Sequence, residues 1–378
     1  MSIFVKTVLF LMKRFFLLLS SVLLLLPSCK QVQLETGSWD PQVRSELNSL
    51  LAGAKGGYAV FDFDKTSIVH DVSQALWVYQ IEHLRYADAP SHAFLDGIPD
   101  VSKELAPGVS FADMGAMLEA EYESLRHRLN AGTTLEELHA SDLYLDFRAR
   151  MFSLLLGMDE AFGESVSYLW MPGLLAGYTE AEAREVVHDA VVEHLGKEKL
   201  AVEQWLSPDG QWGGAVERGI WFSPEMKDLY TKLEASGVDA YVCSASLELI
   251  VEVLACDPEL GAGLPAERVF GLRFAPSERL VAVYDSTYVQ PVGPGKVTCI
   301  ETFMAPLYGG RGPVLVGGDS NGDVPMLTAF PDMHRGLIID VGRSLTSPIG
   351  QLAHSSDGRY LLQPAFATAA GAVEGGGI

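Results

Sequence analysis

Residues Gly57 to Ser67 read GYAVFDFDKTS, and the fold of the chain follows from how this stretch is read. Tyr58 to Phe61 form an apolar run of strand length, rich in aromatic and β-branched residues, and the turn-permitting pair Gly56-Gly57 precedes it. The run predicts a buried strand. Asp62 and Asp64 then arrive two residues apart, followed by Lys65 and Thr66, where that strand should end. In open α/β sheets, ligands collect beyond the carboxyl ends of the strands. Two buried carboxylates this close repel each other and shift toward neutrality unless a cation stands between them. A hard divalent ion held by carboxylate and carbonyl oxygens removes the conflict. On its own a D-x-D pair reads better as turn residues at a strand end, so the rest of the chain has to decide.

From about Val69 to Gly214 the strand vocabulary gives way to helical patterns. Thr179-Glu180-Ala181-Glu182 is a capping box, and Thr133-Thr134-Leu135-Glu136-Glu137 offers the same device. Met114 to Arg128 and Leu135 to Leu156 alternate apolar and charged residues at helical spacing. These features predict a helical insertion of about 140 residues, large enough to count as a domain. Gly210, Gly213 and Gly214 mark the return, after which strands and helices alternate. Ser223-Pro224 opens a helix to about Ala235, Asp239 to Cys243 is a strand and Ser246 to Leu254 a helix. Arg268 to Phe274 is a strand, Lys296 to Met304 a helix, and Pro313 to Val316 and Leu337 to Val341 are strands. Such alternation implies an α/β fold with a mostly parallel, Rossmann-like sheet. The expected division is a core of residues 56–69 and 215–350, interrupted by a helical cap of residues 70–214. Residues 30–55 would be a tether and lead-in helix, and residues 351–378 a tail.

Four places in the α/β half put reactive groups just after strand-like runs. They are Asp62-Phe63-Asp64-Lys65-Thr66; Ser244 after Tyr241-Val242-Cys243; Lys296 after Gly293-Pro294-Gly295; and Gly317-Gly318-Asp319-Ser320-Asn321-Gly322-Asp323 after Val314-Leu315-Val316. In that order they resemble the four motifs of the haloacid dehalogenase superfamily of aspartate-nucleophile phosphatases. The resemblance implies that Asp62 attacks phosphorus to form an aspartyl-phosphate, and that Asp64 serves as general acid and then general base. It also implies that Thr66, Ser244 and Lys296 bind the phosphoryl group. Mg²⁺ would be held by Asp62, the Asp64 main-chain carbonyl and Asp319, with Asp323 supporting that shell. Singly, Ser244 reads as a helix cap, Lys296 as a surface charge, and Asp319 and Asp323 as loop residues. Their joint order is what favours the site.

Asp64-Lys65-Thr66 also resembles the D-K-T of P-type ion pumps, which would make Asp64 the nucleophile. Such pumps need many spanning helices, and no run of 18 or more apolar residues follows the N-terminal segment. A long insertion directly after the first motif resembles the phosphoserine phosphatase-like branch. Within it, Phe61 to Tyr79 together with Ser244-Ala245-Ser246 is most similar to phosphorylcholine phosphatases, although Lys65 stands where that group often has Asn. A quaternary ammonium leaving group would be met by aromatic faces and a carboxylate. Asp71 and Trp77 are the first candidates, with Tyr79, Trp170, Trp205, Trp212 and Trp221 behind them. The function implied is magnesium-dependent hydrolysis of a small phosphate ester. A phosphomutase, or an idle surface lipoprotein or binding protein of the same fold, are the alternatives.

The chain of 378 residues carries a formal net charge of -22 and is 48% hydrophobic, enough for a sizeable core and contrary to a nucleic-acid binder. An anionic substrate must then be held by a local site against the overall field. Lys6, Lys13 and Arg14 precede the apolar run Phe15 to Leu26, which has about the length of the apolar h-region of a secretory signal. Leu26-Pro27-Ser28-Cys29 resembles a bacterial lipobox, apart from Pro27. The expectation is a signal over residues 1–29 and an exported protein, periplasmic or held in the cell envelope by lipid on Cys29, with no other membrane link. Cys243, Cys256 and Cys299 make neither a disulfide framework nor a zinc motif.

Overall fold

Every residue of strand β1 (Gly57–Phe61) is buried, because both of its faces are covered and no position along it needs to be polar. The structure, a computed structural model, describes residues 32–53, 56–87 and 94–367. Two short antiparallel hairpins follow β1 in the chain: β2 (Glu104–Ala106) with β3 (Val109–Ser110), and β4 (Ala201–Leu206) with β5 (Gly213–Arg218). The main sheet resumes with β6 (Val238–Leu247), β7 (Val269–Leu272), β8 (Leu315–Gly318), β9 (Arg335–Asp340) and β10 (Tyr360–Pro364). Its order is β10-β9-β8-β1-β6-β7, and every pairing is parallel. The chain runs from β1 outward through β6 and β7, then crosses back to β8. The topological switch therefore falls at β1, and a ligand crevice is expected beyond its carboxyl end.

The helices are α1 (Pro41–Gly53), α2 (Val72–His83), α3 (Phe111–Asn130), α4 (Leu135–His139), α5 (Asp142–Phe162), α6 (Glu164–Gly173) and α7 (Glu180–His194). After these come α8 (Pro224–Ala235), α9 (Glu248–Ala255), α10 (Pro294–Cys299), α11 (Val324–Ala329) and α12 (Pro348–Ala353). The period-2 alternation of β1 sorts the two layers. Ala59 and Phe61 pack with α1, α8 and α9, whereas Tyr58 and Val60 pack with α10, α11 and α12. The cap has its own core, built from α3, α5 and α6 with Trp205 and Val216 of the β4–β5 hairpin. Helix α2 belongs to both: Val72, Leu76 and Tyr79 face the sheet's core, while Trp77, Val78 and Ile81 face the cap's. A helix apolar on all sides is buried on all sides, and α2 is the joint between the two bodies.

Several expectations need correction. The cap contains two hairpins, which short strands with mixed burial did not announce. The segment from Leu135 to Leu156 breaks after α4, where Ser141 accepts from Tyr144 N and starts α5 afresh. The stretch read as a tether is packed: Leu34 and Trp39 are buried, and Asp40 N donates to Gln363 Oε1 at 2.9 Å. That glutamine lies in β10, so the sixth strand of the sheet comes from residues set aside as a tail. The signal segment, Cys29 and the last residues lie outside the described part. Among the described residues, no helix is long and apolar enough to cross a membrane.

Capping boxes start α3, α4 and α7, where Asp113, Glu137 and Glu182 reach back to Ser110, Thr134 and Thr179. Hydrogen bonds from those caps hold all three carboxyls below their ordinary values near 3.8 and 4.5. A depressed folded-state value means the stabilisation is complete above the unfolded value and is lost as pH falls through the folded one. The variant D113N/E137Q/E182Q is therefore expected to melt below wild type at pH 7, with the gap closing as pH drops below about 4. Thermal melts across that range check it.

Candidate active site

The end of β1 is fixed by its neighbour: Asp62 N donates to Gly317 O of β8 at 3.0 Å, carrying the ladder one residue past the strand. The chain then turns sharply. Lys65 and His70 both adopt left-handed backbone, at φ 57° and 62°, and Lys65 N donates to His70 O at 3.0 Å. Left-handed conformations at residues other than glycine cost free energy and concentrate at functional loops. Inside the turn, the Ser67 hydroxyl donates to Asp62 O at 2.6 Å.

Three further segments meet Asp62. The ammonium of Lys296 lies 2.7 Å from Asp62 Oδ1 and 2.6 Å from Asp323 Oδ1, and the lysine is only 2% exposed. Asp323 Oδ2 accepts from Asp319 N, Ser320 N and Ser320 Oγ, each at 3.0 Å, which folds the loop after β8 around one carboxylate. That loop needs Gly318, where a Cβ would stand 2.5 Å from the Asp323 Cβ. Asp319 Oδ1 accepts from Thr66 Oγ1 at 3.1 Å, and its Oδ2 from Arg343 Nη2 at 3.0 Å. Carboxylate oxygens of Asp62, Asp319 and Asp323 lie within 4.8 Å of one another, all buried.

Asp64 occupies the neighbouring position. Its Oδ1 accepts from Val72 N, the first residue of α2, at 2.7 Å, and its Oδ2 accepts from Ser246 Oγ at 2.6 Å. Ser244 lies near the end of β6, and its hydroxyl accepts from Ser246 N at 3.0 Å. Asp71 caps α2 by accepting from Gln74 N, and its other oxygen accepts from the Tyr168 hydroxyl on the cap helix α6. Trp77 stands apart from the carboxylates: it is 0% exposed and stacks on Trp205 in the cap core, leaving no face for a ligand. Trp170 and Trp205 are likewise buried.

The structure thus gathers Asp62, Thr66, Lys296, Asp319 and Asp323 through direct contacts, with Asp64 beside them. Sequence reading passed over Ser246, Arg343 and Tyr168. The alternation Ser244-Ala245-Ser246 carried a signal for the first, since both serines fall on one side of an extended segment. Arg343 and Tyr168 had none, being placed by tertiary packing alone.

Burial pushes Asp62 up to about 8, the nearby Asp323 adds to this, and Lys296 only partly opposes it. Asp319 rises to about 6 through burial and Asp323, against the pull of Arg343. Burial, then Asp71, raises Asp64 well above the carboxylate range despite the bonds from Ser246 and Val72. For Lys296 burial disfavours the charge, but Asp323 and Asp62 outweigh it and hold the ammonium protonated. The Lys296 ammonium and the Arg343 guanidinium, with Lys65 also acting on Asp319, do not offset the burial and mutual repulsion of the three clustered carboxylates, since Asp62 and Asp319 are both raised. An all-oxygen donor set of this kind fits a hard divalent cation.

No family model matches the chain. It is similar to the phosphorylcholine phosphatase of Pseudomonas aeruginosa, at 27% identity over 240 residues, which cover 63% of this chain and 55% of that protein. The chain therefore matches little more than half the length of that curated relative. Among solved structures, a conserved protein of unknown function from Anaerococcus prevotii superposes with a TM-score of 0.76 at 28% identity, over 88% of this chain and 94% of that one. The central parallel sheet with a cap inserted after its first strand is the architecture of the haloacid dehalogenase fold.

Removing the buried ammonium leaves Asp62 and Asp323 facing each other without a counter-ion. Lys296→Met is expected to lower stability by about 3 kcal/mol in the presence of a chelator. Urea unfolding with and without a divalent cation checks this, with the cation restoring more stability to the variant than it adds to wild type.

Proposed function

We propose that this protein is a magnesium-dependent phosphomonoesterase that works through an aspartyl-phosphate on a small phosphate ester, with phosphorylcholine as the favoured substrate. The observation that carries the reading is the convergence on Asp62: a carboxylate at the end of the central strand, tied to Lys296 and within 4.8 Å of the Asp319 and Asp323 oxygens. Asp62, Asp319 and the Asp64 carbonyl would hold Mg²⁺, with Asp323 bracing them. When bound, the ion supplies the positive charge that keeps Asp62 ionised and balances the phosphoryl oxygens.

In the first step an Asp62 oxygen bonds to phosphorus as the ester P–O bond breaks, and the leaving alkoxide takes a proton from Asp64. Burial and Asp71 favour protonated Asp64, the form a general acid needs. In the second step water attacks the phosphoryl group, Asp64 recovers a proton from it, and the Asp62 carboxylate leaves with its electron pair. In this reading Lys296 and the Thr66 hydroxyl would bind the phosphoryl oxygens, the ammonium being held on its other side by Asp323 and the hydroxyl turning from Asp319 to do so. Ser246, in contact with Asp64, orients that acid.

Three features support choline as the leaving group: the similarity to a phosphorylcholine phosphatase, the carboxylate of Asp71 near Asp64, and the aromatic ring of Tyr168 that the cap brings to it. The basic and apolar N-terminus supports export, with lipid on Cys29 as the anchor to the envelope.

Asp62→Asn is expected to abolish both turnover of para-nitrophenyl phosphate and acid-stable trapping of phosphate. Asp64→Asn should slow turnover by a factor on the order of 10²–10⁴ while still labelling the enzyme. Trapping in the Asp62 variant, with none in the Asp64 variant, would reverse the two roles. Transfer of label to a second alcohol rather than to water would make the protein a mutase.

Phosphorylcholine should be hydrolysed with higher kcat/KM than phosphoserine. Tyr168→Ala should reduce kcat/KM for phosphorylcholine at least about tenfold more than for the aryl ester, an effect of roughly the size of one cation–π contact with a desolvated ammonium. Equal losses on both esters would remove choline and keep the esterase.

A further inference from the structure

A second group of metal-ligating side chains lies away from the carboxylate cluster, where the C-terminal ends of α2 and α7 come together. Glu82 and His83 end α2, and Glu193 and His194 end α7. Carboxylate oxygens of Glu82 and Glu193 and a ring nitrogen of His194 lie within 4.8 Å of one another. His194 is 3% exposed, and its Nε2 has no hydrogen-bond partner. A buried imidazole nitrogen without a partner loses its hydration and gains nothing in return, so an occupant is expected there.

The surrounding charges point to the sign of that occupant. Arg218 reaches Glu82 at 2.7 Å and Glu203 at 2.9 Å, and His83 Nε2 meets the Glu193 oxygens at 2.9 and 3.2 Å. Arg218, with Lys199 also acting on His194, thus stands against the three carboxylates of Glu82, Glu193 and Glu203, and the remaining partner, His83, is a side chain able to ligate a metal. Both helices present their negative dipole ends to the same place, which adds to the attraction for a cation. Glu193 has 39% of its side chain exposed, so the cluster opens to solvent on one side while His194 closes it on the other.

We propose that this cluster is a second metal site, taking a borderline transition-metal ion, Zn²⁺ in the first instance, through Glu82, Glu193 and His194, with His83 orienting Glu193 or joining as a fourth ligand. Mixed imidazole and carboxylate donors suit Zn²⁺, whereas the all-oxygen set around Asp62 suits Mg²⁺. Bound there, the ion cross-links the first and last helices of the cap. The proposal does not depend on the phosphatase reading.

The test uses the full chain, stripped with a chelator and titrated calorimetrically with Zn²⁺ alone in excess Mg²⁺. Wild type and Asp319→Asn should both bind a Zn²⁺ ion that raises the melting temperature. Glu193→Gln and His194→Gln should weaken that binding about tenfold or more. Glu193 is only half-buried and Gln matches it in size, so its variant keeps the test valid even if the His194 variant fails to fold. Co²⁺ in place of Zn²⁺ should give visible absorption bands that persist in Asp319→Asn and vanish in Glu193→Gln. Absence of Zn²⁺ binding to wild type, its loss in Asp319→Asn, or its survival unchanged in Glu193→Gln each overturns the site.

Discussion

The structure depends on one buried ammonium. Lys296 lies between Asp62 and Asp323, within 2.7 Å of each, in a position water barely reaches. Removing these charges from water costs several kcal/mol per ion, a penalty that only close pairing and further hydrogen bonds offset. Asp323 shows how the offset is achieved: one oxygen receives the ammonium, and the other receives two backbone N–H groups and a hydroxyl. The loop after β8, the start of α10 and the end of β1 are consequently held by a single electrostatic knot. Each brings one part, and none could remain buried without the others.

The same knot explains why the parallel sheet is arranged around β1. Asp62 has to sit at the switch point, where β6 and β8 flank the strand and their carboxyl ends deliver Ser246 and Asp319 from opposite sides. Adjacent parallel strands of similar register bring their C-terminal residues to one edge, so two carboxylates and a hydroxyl converge without any long loop. Close approach at this edge requires small residues. At Gly317 a Cβ would stand 2.4 Å from the Phe61 ring, which is why β8 ends in two glycines.

The parts legible in the sequence were those whose signals are local. Tyr58 to Phe61 could only be a buried strand, and Asp62, Lys296, Asp319 and Asp323 were marked by residue type and by their order after strand-like runs. The alternation of strands and helices was enough to imply the parallel sheet. The parts that stayed hidden depend on contacts between distant segments. Tyr168 lies in a stretch without motif and reaches Asp71 only because α6 packs over the site. Trp77 was a candidate as an aromatic face for a quaternary ammonium, but a helix turns 100° per residue, and six positions on from Asp71 it points into the cap core. Of the two serines after Cys243, both within β6, it is Ser246 that meets Asp64, while Ser244 accepts from Ser246 N. β10 was missed because its short run, Tyr360 to Pro364, was set aside with the tail, and its place is given by pairing with β9 at the edge of the sheet.

Helix α2 connects these observations. Its first N–H binds Asp64, its cap residue Asp71 holds Tyr168 of α6, its middle is buried in two cores, and its last turn carries Glu82 and His83. Its dipole therefore has work at both ends: the positive N-terminus faces a carboxylate, and the negative C-terminus faces the proposed cation. A helix fixed at both ends transmits a change at one as a shift of the whole rod, because packed cores yield little to compression. An ion joining α2 to α7 would therefore act on the same helix whose first N–H donates to Asp64, although Glu82, Glu193 and His194 form a cluster separate from that of Asp62.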